Sequence, residues 1–173
     1  MPNAQQVSRI ATVSSGIIAG AAGGLAEIAW VTLYAGATGG NAAVLARGVT
    51  SAAGVTALLP QSPVALGVAV HMTLAVALGV TLAYAWRALR TQKVAAGGLF
   101  PFMLAALAGV WATNFFVILP IVSPAFVHMV PYAVSLTSKL LFGLAAAAAL
   151  QWQAGREFTP AMNLARLSRD KRR

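Results

Sequence analysis

The sequence contains no cysteine, which excludes disulfides, thiolate catalysis and Cys-ligated metal centres together. Acids are nearly as scarce, with 3 Asp and Glu residues against 12 Lys and Arg in 173 residues. Only one of those acids, Glu27, lies inside an apolar run, so a pair of buried carboxylates for acid–base chemistry cannot be assembled. No nucleophile–base–acid set and no phosphate loop are present, and the glycines of residues 16–24 do not follow a strand, as a nucleotide-binding turn requires. Enzyme activity is not expected.

Charged residues of either sign amount to 9%, against 59% hydrophobic residues and a mean hydropathy of +0.78. Those values place the chain in a lipid bilayer. The net charge of +9 would by itself suit nucleic acid, but the basic residues cluster at the ends of apolar runs and beyond Gly155. A membrane protein obeying the positive-inside rule has this pattern, and no nucleic-acid partner is expected.

Four apolar runs are long enough to span: about residues 10–35, 64–86, 95–119 and 131–152. A cleaved signal peptide competes for the first, with Arg9 as its basic flank. That run is too long for a signal core and continues through Glu27 to Trp30 and Tyr34, placed like interfacial anchors. Between the first two runs, Asn41 can cap a helix over residues 42–59, stopped by Pro60 and Pro63. Val44, Leu45, Gly48, Ala52, Val55 and Leu59 fall on one side of it, with Arg47, Thr50, Ser51 and Gly54 opposite. Such a segment reads as interfacial or re-entrant.

Of the 12 basic residues, all but Arg47 and Lys139 then fall on one side, which puts both termini in the cytoplasm of a bacterial inner membrane. A fifth span at 42–59 would destroy that asymmetry. In the basic tail, 155–173, Thr159–Pro160 has the form of a helix start. A short amphipathic helix on an anionic leaflet and a solvated basic tail both fit the residues that follow. The predicted fold is all-α, an integral four-helix bundle with a short extra helix after the first span.

Small residues recur every four positions on the helix faces. Gly16, Gly20 and Gly24 do so in the first run, Gly67 and Gly79 flank His71 in the second, and Gly143 follows Lys139 in the fourth. Such faces bring helix backbones close together in lipid, where the hydrophobic effect no longer drives association. At 1.5 Å per residue, Glu27, His71, Asn114 and Lys139 all lie roughly 8–12 Å from the outer ends of their helices. A lysine at that depth costs about 2.5–3.5 kcal/mol on insertion scales and needs a partner. Glu27 and Lys139 are therefore expected to face each other, with His71 and Asn114 hydrogen-bonded nearby.

Such a cluster can serve to fix helix register, or it can mark a path for a solute or a proton. Two His-Met dipeptides, His71–Met72 and His128–Met129, raise a third reading, in which the histidines hold copper or haem. Adjacent helix residues point about 100° apart, so His71 and Met72 cannot both address one ion without distortion. Core packing for Met72 and a loop position for His128 are expected instead, with no cofactor.

The layout resembles the small uncharacterised four-helix inner-membrane proteins of bacteria, the YagU-like type and its relatives. The first helix has the form GxxAGxxGGxxE, the second an early His in VALGVAVHMTLAVALGV, the third ends NFFVILP, and the fourth carries SKLLFGLAAAA. The chain departs from the resemblance at Lys139, where such proteins look neutral or carry His. The resemblance implies the fold and no activity. Two expectations for function stand: a non-catalytic accessory or packing subunit of a larger or homo-oligomeric membrane assembly, and a small-solute or proton carrier.

Overall fold

The computed structural model describes residues 3–91 and 98–170, with side chains of the last helix as far as Gly155. The chain is an all-α four-helix membrane bundle. Among the described residues, four helical segments are long and apolar enough to cross a bilayer: Ser8–Ala37, Pro63–Arg90, Leu99–Val122 and Tyr132–Gly155.

The first of these belongs to α1 (Ala4–Ala37), which begins a turn and a half before the apolar run. Asn3 starts it, its side-chain oxygen accepting the Gln6 backbone N–H at 2.8 Å. Next comes α2 (Ala42–Ala52), capped as expected by Asn41, whose side chain accepts from the Ala43 N–H. It is shorter than the predicted 42–59. Gly54 takes φ +68°, a left-handed conformation that ends the helix before Val55 and Leu59 can join it. At 11 residues, α2 rises roughly 16 Å, about half the hydrocarbon thickness, and cannot span.

The predicted polar face of α2 also needs correction. Thr50 is buried to 1% exposure because its hydroxyl donates to the Pro63 carbonyl at 2.6 Å, while Val44 is 46% exposed. Its neighbour α3 (Pro63–Thr91) is one unbroken helix. Gly67 permits the contact between the two, since any side chain there would strike the Ala46 carbonyl and the Thr50 hydroxyl.

The third span bends the usual rules. α4 (Leu99–Thr113) passes into a wide turn over Asn114–Ile118, in which the Leu119 N–H reaches back five residues to the Asn114 carbonyl. α5 (Leu119–Val122) then completes it, so the helix continues past Pro120 where a stop was expected. Proline supplies no N–H to the carbonyl four residues earlier and crowds it; a π-type turn just upstream accommodates both defects. After α6 (Pro124–Val127), α7 runs from Tyr132 to Asp170. It passes through Gly155 and Pro160, replacing the separate helix predicted to start at Thr159–Pro160. Whether the tail's basic residues form an amphipathic face concerns side chains outside the described residues.

α1 packs on α3 along one side and on α7 along another, α4 packs on α7, and α3 and α4 meet only over a short stretch. The α1–α3 seam is backbone on backbone. A methyl group on Gly16 would stand 2.5 Å from the Val80 Cα, one on Gly20 2.7 Å from the Val76 Cα, and one on Gly79 would collide with Gly20 itself. Gly24 continues the seam against Ala75 and Met72, and Gly143 packs against the Met103 carbonyl of α4. The interior below is apolar, built from Ala19, Ala75, Leu82, Met103, Leu107, Phe142, Ala146 and Ala147.

Candidate functional site

Glu27 is 4% exposed, deep on the face of α1 that meets α7. A carboxylate at that position is tolerated only with partners supplied by neighbouring helices. Lys139 of α7 supplies the first, its Nζ lying 2.7 Å from Oε1 and 3.0 Å from Oε2, so that one ammonium spans both oxygens. Ser138, the preceding residue, donates its hydroxyl to Oε1 at 3.3 Å. From α3, His71 places Nε2 3.4 Å from the Gly24 carbonyl and 3.7 Å from Glu27 Oε2. Both neighbours of that nitrogen are acceptors, which favours the tautomer carrying its proton on Nε2.

Three of the four residues singled out in the sequence therefore meet. Asn114 does not. Among the described residues no hydrogen bond links its side chain to the cluster, and Phe115 takes the buried position beside it. Asn114 keeps the regular helical bond from its N–H to the Val110 carbonyl, and the wide turn begins after it. The face of the third span that it occupies, which depth alone does not specify, keeps it from the cluster. Ser138 takes the role assigned to Asn114. Its signal was present in the sequence, since Ser138, Phe142 and Ala146 form a second four-residue stripe beside Lys139, Gly143 and Ala147. That second stripe is buried throughout.

The ammonium is held from a further direction, with Nζ 5.8 Å from the centre of the Phe142 ring. The same helix pair is tied one turn away, where the Trp30 indole N–H donates to the Val134 carbonyl at 3.0 Å. Nearby, the Trp111 indole donates to Ser135 at 2.9 Å, and Trp111, Phe115, Phe116 and Tyr132 pack ring against ring. Trp30 and Trp111 thus lock helices to one another.

Beside the ion pair lies a chamber of about 350 Å³. Glu27, His71, Ser138 and Lys139 form its polar end, and Ile28, Val31, Val68 and Phe115 line its sides. Ala43, Ala46 and Val49 of α2, Phe126 of α6 and Val130 beyond it line the rest of the chamber, which stays partly open. His71 and Lys139 side chains keep 25% and 21% exposure, whereas Glu27 is sealed behind them. The chamber thus presents an ammonium and an imidazole to whatever enters, in a mainly apolar space.

His128 takes no part in this arrangement; it is exposed at the end of α6 and does not line the chamber. The methionines of the two His-Met pairs turn to glycines, Met72 against Gly24 and Met129 against Gly48. Among the described residues no three His, Asp or Glu side chains gather as a metal site. The chain matches no protein-family model, no curated protein and no solved structure.

Proposed function

We propose that this is a non-catalytic membrane protein that holds a small amphipathic solute in the chamber under α2, as part of carrying it. One observation carries this reading: an intramembrane ion pair lines a partly open cavity of about 350 Å³. That volume lies within the range of about 300–1,000 Å³ usual for small-molecule sites, which are likewise mainly apolar with a few convergent polar groups. Lys139 and His71 would receive the solute's polar group, and the valines and Phe115 its apolar body. A proton relay is less well supported, because the layer of Ala19, Leu82, Met103, Leu107 and Phe142 separates the cluster from the opposite end of the bundle.

A second reading, a packing subunit of a larger or homo-oligomeric assembly, is favoured by the way Glu27 and Lys139 neutralise each other. Mass spectrometry of small molecules extracted from protein purified in mild detergent separates the two. The carrier reading expects a stoichiometric solute in the wild type that is lost from Val49→Phe, which fills the chamber. A stoichiometric protein partner with no retained small molecule would sink it.

We further propose that both termini face the cytoplasm of a bacterial inner membrane. Arg87 binds the Ser8 carbonyl and the Thr12 hydroxyl, so the basic end of α3 and the start of α1 lie together, while Arg47 sits on α2 beyond the first span. In this cysteine-free chain, Gln61→Cys and Ala125→Cys should react with an impermeant maleimide added to intact spheroplasts, and Gln6→Cys should not. Labelling at Gln6 would invert the orientation.

A further inference from the structure

At the end of the bundle opposite the chamber, α1, α3 and α7, with Leu99 at the start of α4, border an open groove of about 630 Å³. Ala83, Leu99 and Leu150 form its apolar depth, and Trp86, Arg87 and Arg90 stand at its mouth. Arg87 and Arg90 are three residues apart on one helix, so their guanidinium groups share a side. Arg87 is oriented by the Ser8 carbonyl, the Ser8 hydroxyl and the Thr12 hydroxyl, and Arg90 lies over the Trp86 ring at 6.0 Å. None of the described lining residues is acidic. Glu27, the acid on the described side chains, is already engaged by Lys139.

We infer that this groove binds an anionic phospholipid, its phosphodiester between Arg87 and Arg90 and one acyl chain lying along Ala83, Leu99 and Leu150. The argument is one of complementarity along the groove. Guanidinium groups present donors in a planar fork suited to phosphate oxygens, and a tryptophan beside them has the apolar face and polar edge of a headgroup-level residue. The rest of the lining is mainly apolar, with Thr12, Ser15, Gln151 and Gln153 as its polar members, and an acyl chain uses such a wall where a free phosphate does not. Two fixed cations with no described acid among them favour a lipid of net negative charge over a zwitterionic one. This site is independent of the chamber and of whatever the chamber holds.

Native mass spectrometry of the full chain in detergent tests the inference, with phosphatidylglycerol and phosphatidylcholine titrated separately and inorganic phosphate as a competitor. Phosphatidylglycerol should remain bound at one equivalent, and phosphatidylcholine should bind roughly tenfold more weakly. Arg90→Gln should lower phosphatidylglycerol affinity by roughly tenfold. Arg47→Gln, at the other end of the molecule, should leave it unchanged. Arg87→Gln also removes contacts to α1, so Arg90→Gln, with an unchanged melting temperature, is the deciding variant. Equal binding of the two lipids, or undiminished binding by Arg90→Gln, overturns the inference. Displacement of the lipid by millimolar inorganic phosphate would assign the arginines to a free anion and overturn it too.

Discussion

α1 makes two seams that hold it by opposite means. Against α3 it offers glycine, and the two backbones touch at Gly16, Gly20 and Gly79. Against α7 it offers Glu27 and Trp30, which reach Lys139, Ser138 and the Val134 carbonyl. The first seam works through the absence of side chains and is intolerant of any added atom. The second works through matched groups, so it is sensitive to a change in one partner and forgiving of a change in both. A membrane bundle can thus fix two neighbours of one helix by geometry on one side and by chemistry on the other.

Adding bulk to the glycine seam should break the comparison most severely. Gly79→Val places a branched side chain against the Gly20 backbone, where no flexible group can yield. It should abolish the cooperative melt in detergent, and a normal melt would mean that α1 and α3 are farther apart than described. Next in size is the loss of one charge from the other seam. Glu27→Gln and Lys139→Met should each cost about 3–5 kcal/mol, with most of that recovered in the double variant. Strictly additive losses in a thermal melt would show that the pair contributes nothing as a pair.

Ser138→Ala should cost about 1 kcal/mol, since it removes one hydrogen bond to a carboxylate that retains its ammonium. Asn114→Leu, by contrast, should change the melting temperature little, and a loss as large as that of Lys139→Met would restore Asn114 to the cluster. Smallest, and of opposite sign, is Gly109→Ala. An added methyl there meets nothing within 4 Å, so helix propensity should leave stability unchanged or raise it by up to about 1 kcal/mol.

The features legible in the sequence were those that depend on regular helical spacing. Gly16, Gly20 and Gly24 repeat every four residues, and the seam they make follows directly. Glu27 and Lys139 were paired by depth and by the shortage of other intramembrane charges, and their contact at 2.7 Å agrees with that argument. The misreadings occurred where spacing did not fix the face or the pattern was interrupted. Asn114 was placed by depth alone, which does not say which face of the third span it occupies. In α2, polarity suggested that Thr50 faces outward, but its hydroxyl satisfies the Pro63 carbonyl inside the fold. Proline was read as a stop at 120 and as a start at 160, and helix runs through both positions.

The glycine seam also limits how this sequence can change over time. Every single-base change in a glycine codon that yields another amino acid introduces a Cβ atom. At Gly16, Gly20 and Gly79 that atom would have to fit where a facing backbone already stands. No smaller residue exists as an intermediate step, and a compensating change on the partner helix cannot make room, because the partner there is main chain. Mutational drift is thereby diverted to the outward faces of α1 and α3, where residues such as Leu25, Leu33 and Leu74 are exposed and interchangeable with other apolar side chains. Variants surviving a random mutagenesis screen should accordingly differ along the outer faces and keep these three positions.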